Sequence, residues 1–306
     1  MIHLATKTLQ AIENQIATDQ GAAFRVALGK VIHHVGDAYR GEDSPFRSHL
    51  GASVLGGECG RALWYGFRWF TKPSFGGRTL RLFNRGHLEE ARFIAMLLAI
   101  GCKIYQQDAN GKQFRISDVN GHLGGSGDGV AVGIPDLPEG VPALLEFKTH
   151  NDASFKGLVK EGVRVAKFEH YVQMNLYMHK MGLSFALYLA VNKNNDDLYG
   201  EIMQVDGECA KTFLQRGHKI IFMHEAPPKL NESPGWFGCK WCDHRPVCHL
   251  GVNPERTCRS CKHADPTAPG GGWHCTKPDP LTGAIAVPKE LTMADQLRAC
   301  EHYNAL

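Results

Sequence analysis

Residues 142–150, PALLEFKTH, constrain the fold more than any other stretch of this chain. The apolar run reads as a buried strand, and its period of two puts Glu146 and Lys148 on one face with Leu145 and Phe147 on the other. An acid and a lysine on a buried strand are costly unless other groups compensate them. The chain must therefore build a sheet around 142–150 and give the two charges work in common, such as holding a metal ion and positioning water. Glu-x-Lys alone is common on surface strands, so the rest of the chain has to decide its meaning.

With 306 residues the chain can bury a full core and carry an appendage. It has no run of about 18 apolar residues to span a membrane. Its N-terminus, MIHLATKTLQAIENQ, lacks the pattern of an export signal, so a cytoplasmic protein is expected. A net charge of +3 makes no case for nucleic acid through bulk charge; a local groove would have to supply it. Ten cysteines without an export signal point to metal rather than disulfides. Cys239, Cys242, Cys248, Cys258, Cys261, Cys275 and Cys300 lie in the C-terminal quarter and include two Cys-x2-Cys pairs.

Residues 1–50 read as an N-terminal helical segment, with Leu9, Ile12, Ile16, Phe24, Ala27 and Val31 at helical spacing; His33 and His34 read as solvated or capping residues. A helix is expected from Arg61 to Trp69, opening after Cys59, whose thiolate the helix dipole would favour. A second helix covers LRLFNRGHLEEARFIAMLLAIG, with Glu89 and Glu90 in its first half as dipole-stabilising surface acids. Strands follow at KIYQQ, KQFRISD, HLGGSGDGVAVG and ALLEFKTH, with hairpin signals at Asn110-Gly111 and Asn120-Gly121. Asp128 and Glu146 then fall on adjacent antiparallel strands, within reach of each other. Pro135-Asp136 competes with Asp128 for that role, but IPDLPEG reads as the turn between the strands, so Asp128 is preferred. A linker leads to a helix from about residue 167 to 181, on which Gln173 and Tyr177 share a face. Two more strands and a helix at about 207–223 complete a mixed sheet flanked by helices. Beyond Pro227-Pro228 the chain is rich in Pro and Gly and poor in core residues, as expected of a segment that needs metal to fold.

Asp128, Glu146 and Lys148 in this placement resemble the PD-(D/E)XK nuclease superfamily, specifically its RecB-like branch with CRISPR-associated and phage-encoded exonucleases. Arg85-Gly86-x3-Glu90 is similar to that branch's first motif and Gln173-x3-Tyr177 to its last. Cys59 before the core, with Cys239, Cys242 and Cys248 after it, matches the iron–sulfur subset. The resemblance covers about residues 50–250; Glu89 competes with Glu90, and the tail lies outside the family pattern. It implies a restriction-endonuclease-like α/β fold: a nuclease core over residues 51–250 closed by a four-cysteine cluster, then a Cys-rich tail over 251–306. It also implies Mg²⁺ or Mn²⁺ held by Asp128, Glu146, the backbone carbonyl of Phe147 and Glu90, with Lys148 orienting water and Gln173 and Tyr177 positioning the backbone or Lys148. Cys59, Cys239, Cys242 and Cys248 would hold a [4Fe–4S] cluster, with zinc as the alternative. For the tail, Cys258, Cys261, Cys275 and Cys300 suggest structural zinc, with His263, His274 or His302 as substitute ligands and a flexible metal-free tail as the alternative. Cys102 and Cys209 read as buried structural thiols.

The activity implied is a DNA exonuclease acting on single strands or duplex ends in recombination, repair or phage DNA processing. An annealing protein or helicase would be its partner. Two alternatives stand beside it: a site- or structure-specific endonuclease of the same superfamily, and a non-catalytic nucleic-acid-binding protein that kept the fold.

Overall fold

The apolar run at 142–150 lies at the middle of a five-stranded sheet. The computed structural model describes residues 2–36, 39, 45–108, 110–278 and 288–306; residues 40–44 of the expected helical segment and 279–287 of the expected tail lie outside them. The first elements are α1 (Thr6–Asp19), α2 (Ala22–Val31), β1 (Leu50–Gly51), α3 (Gly60–Phe67), α4 (Gly77–Ala99), β2 (Lys103–Tyr105) and β3 (Arg115–Asp118). Next come β4 (Leu123–Ser126), β5 (Gly129–Val132), β6 (Ala143–His150), α5 (Asp152–Ala166), α6 (Phe168–Met181), β7 (Phe185–Asn192) and β8 (Leu198–Gln204). The chain ends with α7 (Gly207–Phe222), α8 (Phe237–Lys240), α9 (Arg245–His249), β9 (Ala264–Ala268), β10 (Gly272–Cys275), β11 (Lys289–Leu291) and α10 (Met293–Leu297). The fold is mixed α/β. Two compact units are present: one of Met1–Asp43, Phe75–Ile116 and Ser126–Ala210, the other of Ser44–Ser74, Ser117–Gly125 and Lys211–Leu306.

In the first unit the sheet order is β2-β5-β6-β7-β8. Only the β6–β7 pair is parallel; the other three pairs are antiparallel. A parallel pair needs a long crossover, and α5 and α6 provide it. One face of the sheet packs Leu145, Phe147, Leu187 and Leu189 against Ile12, Ala27, Phe93 and Leu97 of α1, α2 and α4. The Phe93 and Phe147 rings stack at 5.1 Å. The other face lies under α5 and α6. The edge strand β8 is covered by residues 3–5, where Ala5 N–H donates to the Gly200 carbonyl at 2.9 Å and Ile202 N–H to that of His3 at 2.8 Å, as an exposed edge requires.

Three sequence expectations are corrected here. The expected linker before α6 contains the helix α5, opened by Asn151, whose Oδ1 accepts the Ser154 N–H at 2.9 Å. Gly162, at φ 72°, interrupts it; the Val163 N–H that this break exposes donates to buried Glu201 at 2.8 Å. The glycines at 157 and 162 hid the helical period from the sequence. Second, HLGGSGDGVAVG is two strands rather than one, broken at Gly127 and Asp128. β4 pairs in parallel with β1, whereas β5 joins the five-stranded sheet. Third, α4 begins at Gly77 and runs for 23 residues, so Glu89 and Glu90 sit past its middle rather than near its N-terminus. Their burial has to be explained by neighbours, not by the helix dipole.

The second unit carries α3 and the C-terminal segment. Its last part is a three-stranded antiparallel sheet, β9-β10-β11, around fully buried Trp273, followed by α10 with a Thr292–Asp295 capping box. Cys102 in the first unit is buried as expected, whereas Cys209 is only half-buried. Among the described residues no helix is long and apolar enough to cross a membrane.

Asp136, the competing acid, has a different task. Its carboxylate accepts the N–H groups of Lys7 at 3.1 Å and Thr8 at 2.7 Å, and the Thr8 hydroxyl at 2.7 Å. It therefore satisfies the open N-terminus of α1 from a distant loop. Replacing a capping side chain by alanine costs about 0.5–2 kcal/mol, and Asp136→Ala should lower stability by that amount. A urea midpoint unchanged in Asp136→Ala would contradict this assignment.

Candidate active site

The register of the central sheet assembles the acids. Gly129 pairs with Leu145 in the β5–β6 ladder, so Asp128, one residue before β5, stands opposite Glu146. Gly129 itself is required there: a Cβ would lie 2.9 Å from the Tyr105 carbonyl oxygen. Asp128 Oδ2 accepts the Phe147 N–H at 2.8 Å, which ties its carboxylate to β6. Lys148 Nζ bonds one oxygen of Glu146, and Gln173 Nε2 donates to the other at 3.1 Å. Glu90 joins from α4: its charge is felt together with those of Asp128, Lys148 and Glu146. Glu89 turns elsewhere, ion-paired to Arg92 at 3.1 Å with its second oxygen buried and without a partner. That separates the two adjacent glutamates, which the sequence left open.

Three carboxylates share one ammonium. Burial pushes Glu90 up to about 8, Asp128 and Glu146 adding to the effect and Lys148 opposing it. Burial also raises Glu146 to about 7, again against the pull of Lys148. Asp128 is raised by burial too, with Lys148 and the Phe147 N–H opposing. Burial acts to lower Lys148, but Glu146 and Asp128 outweigh it and hold the ammonium above its usual range. A carboxylate cluster this poorly compensated favours either protons or an added cation.

Of the two partners expected for it, the backbone or Lys148, Tyr177 meets a backbone carbonyl. Its hydroxyl donates to the Ser126 carbonyl at 2.9 Å, and its ring lies against Gly127, so it holds the bend that presents Asp128. Gln173 holds Glu146 rather than Lys148. The sequence reading missed a polar chain on the same sheet face. His150, two residues beyond Lys148 on β6, meets the Tyr188 hydroxyl at 2.9 Å, and His170 of α6 meets the same hydroxyl at 3.0 Å. Ser154 bridges His150 Nδ1 at 3.1 Å and Lys167 Nζ at 2.7 Å. Burial lowers His150 to about 4 and His170 to about 3, with nearby lysines contributing. Tyr188 pairs directly with Glu146 in the β6–β7 ladder. The signal was present: 146, 148 and 150 share strand parity, and 170, 173 and 177 share a helix face.

Both cysteine sets lie in the second unit. Cys59 caps the N-terminus of α3, its sulfur accepting the Ala62 N–H at 3.4 Å. Cys239 is on α8 and Cys248 on α9, with Cys242 between them; burial raises the thiols of Cys242 and Cys248, and nearby Cys59 and Cys239 add to the effect. Four thiols grouped in this way fit a zinc ion or an iron–sulfur cluster. The tail set, Cys258, Cys261, Cys275 and Cys300, lines one cavity of about 20 Å³ together with His263 and His302. His274 lies outside that lining and pairs with the Thr267 hydroxyl at 3.4 Å. Among the described residues no three His, Cys, Asp or Glu side chains stand in a ready-made metal-holding arrangement; in the acid cluster, Lys148 and Gln173 engage both oxygens of Glu146. By chemistry the donor sets fit: buried, under-compensated carboxylates suit a hard divalent cation, and grouped thiols suit a soft one.

No protein-family model matches the sequence, and no curated protein matches it. Among solved structures, the alkaline exonuclease LHK-Exo from Laribacter hongkongensis is similar at 14% identity and a TM-score of 0.40, over 56% of this chain and 86% of that one. LHK-Exo in complex with dAMP is similar at 13% identity and a TM-score of 0.40, with the same coverage. The protein SSO0001 is similar at 14% identity and a TM-score of 0.38, over 77% of this chain and 98% of that one. Likeness at this level carries no argument about chemistry, which rests on the residues of the site.

Glu90 and Glu146 bind protons more tightly in the folded chain than at the ordinary glutamate value of about 4.3. Between that value and about 8 the folded state carries the extra protons. Its stability therefore falls as pH rises through this window. Metal-free protein should unfold at lower urea at about pH 8 than at about pH 5.5, and Glu90→Gln should raise the midpoint at the higher pH. A midpoint at about pH 8 that Glu90→Gln leaves unchanged would contradict the burial of that charge.

Proposed function

We propose that this protein is a divalent-cation-dependent DNA exonuclease of the PD-(D/E)XK type, serving DNA recombination, repair or phage DNA processing. The observation that carries the reading is the cross-strand pair Asp128–Glu146 beside Lys148, with Glu90 arriving from α4 and the whole short of positive charge. The order of helix α4, strands β2, β5 and β6, helix α6 and strand β7 supports it: Glu90 lies on a helix, Asp128 just before a strand, Glu146 and Lys148 on a strand, and Gln173 and Tyr177 on a helix. Asp128, Glu146 and Glu90, with the Phe147 carbonyl, would hold Mg²⁺ or Mn²⁺. Such a cation would polarise the scissile phosphate and offset its charge.

The chain's own residues have separable tasks. Lys148 would place an ammonium beside the phosphoryl oxygens on which negative charge grows, a preorganised electrostatic role. Gln173 fixes the rotation of the Glu146 carboxylate. Tyr177 holds the Ser126–Asp128 bend, so its loss would misplace an acid without removing one. In the second unit, Cys59, Cys239, Cys242 and Cys248 would hold a [4Fe–4S] cluster.

Removing a preorganised charge-stabilising group typically costs about 100- to 1,000-fold in turnover. On labelled linear DNA with Mg²⁺ or Mn²⁺, Lys148→Ala and Asp128→Ala should lose activity on that scale, with DNA affinity in Lys148→Ala nearly unchanged. Wild type and variants of equal activity would overturn the assignment. Cleavage of circular DNA would make the protein an endonuclease, and binding without cleavage across several divalent metals would make it a non-catalytic binder. Anaerobically purified protein should absorb broadly near about 400 nm; colourless protein with zinc bound to Cys239 and Cys242 would replace the cluster by zinc.

A further inference from the structure

The second unit buries two positive charges, neither of them in an ion pair among the described residues. Arg68, just after α3, and Arg259, next to Cys258, are each only 1% exposed. The Arg259 guanidinium lies 3.9 Å over the Trp69 ring and 4.7 Å over Trp273, and that of Arg68 lies 4.9 Å over Trp273. Their hydrogen bonds go to neutral acceptors. Arg259 donates to Gln296 Oε1 at 2.8 Å and to the Phe67 carbonyl at 3.5 Å. Arg68 donates to the carbonyls of Ala264 at 2.8 Å and Met223 at 3.3 Å, while its Nε is buried without a partner. Among the described residues neither guanidinium forms an ion pair.

Arginine does not shed its proton in proteins, so this pair cannot relieve itself by neutralising. Two buried cations in contact with the same indole would be costly without a negative partner. The negative groups that favour the Arg68 cation are Asp265 and Cys261. Asp265 is half-buried. Cys261 is buried, and it is one of the four thiols around the tail cavity.

The cysteine turn is already shaped for a ligand. The Cys261 N–H donates to the Cys258 carbonyl at 3.0 Å, and the Ala264 N–H to that of Cys261 at 3.1 Å. The Asn304 N–H donates to the Cys261 sulfur at 3.5 Å. The next carbonyl along that turn, Ala264, is the one Arg68 grips.

We propose that Cys258, Cys261, Cys275 and Cys300 bind one zinc ion as a tetrathiolate whose double negative charge neutralises the buried Arg68–Arg259 pair. Four thiolates and one Zn²⁺ leave two negative charges, matched by two guanidiniums. With four neutral thiols, Arg68 would have only half-buried Asp265 to favour its charge and Arg259 would have no negative group, so zinc binding and burial of the pair are one event. The ion therefore does more than staple a core-poor tail. It makes the contact between α3's C-terminal end and the start of β9 electrostatically acceptable.

Elemental analysis of the full-length protein, purified without chelator, should find a zinc equivalent that disappears in Cys258→Ser/Cys261→Ser and persists in Cys239→Ser/Cys242→Ser. Cobalt substitution should give the intense visible bands of a tetrahedral thiolate site, absent in the first variant. Competition with a chromogenic chelator should weaken zinc at least about tenfold in Arg259→Met and leave it nearly unchanged in Arg259→Lys. In wild type, where no variant has to fold, stripping the zinc should change the fluorescence of the tryptophans stacked on the pair. Metal content independent of Cys258 and Cys261 overturns the site. Equal zinc affinity in Arg259→Met and wild type, or tryptophan fluorescence indifferent to stripping, overturns the charge compensation. None of these readouts depends on nuclease activity.

Discussion

The first unit is organised by a charge imbalance on one face of β6. Glu146 is almost wholly removed from water, Asp128 stands across the ladder from it, and Glu90 adds a third carboxylate against the single ammonium of Lys148. Isolated from a cation, such a cluster can exist only by keeping protons that acids normally give up at neutral pH. That cost has to be offset by the rest of the unit. The opposite face of the same strand does so: Leu145 and Phe147 are packed in the apolar core, with Phe147 stacked on Phe93. One strand thus separates a dry hydrophobic layer from a polar one short of positive charge, and its period of two keeps them apart.

The helix α6 completes the polar layer. His170, Gln173 and Tyr177 stand one above another along it and reach Tyr188, Glu146 and the Ser126 carbonyl respectively. The two histidines that share the Tyr188 hydroxyl are held neutral by burial, so this part of the face adds rigidity without adding charge. The second unit meets a related constraint with opposite sign. There the buried excess is cationic, Arg68 with Arg259, and in the proposal above zinc-bound thiolates answer it.

Much of this was legible in the sequence because it depends on local periodicity. Glu-x-Lys beside an apolar run gave β6 and the face of its charges, and the strand-turn-strand pattern gave the Asp128–Glu146 pairing. Gln173-x3-Tyr177 marked the helix facing them. What the sequence left open depends on tertiary neighbours. Glu89 and Glu90 are adjacent, and only the docking of α4 sends one to the acids and the other to Arg92. Helix α5 was hidden by two glycines, one of which adopts a positive φ. Arg68 and Arg259 lie 191 residues apart in the chain, and nothing local announces that both are buried against the same tryptophan. The cysteine groupings were visible as spacing, whereas the charge they would have to balance was not.

In the proposed function Glu90, Asp128 and Glu146 exchange protons for a divalent cation. Calorimetric titration of Mn²⁺ into metal-free protein at about pH 7, repeated in two buffers of different ionisation enthalpy, measures that exchange directly. The account predicts saturable binding with net proton release, and in Glu146→Gln weaker binding with less release. Binding without proton release, or release unaffected by Glu146→Gln, would contradict it.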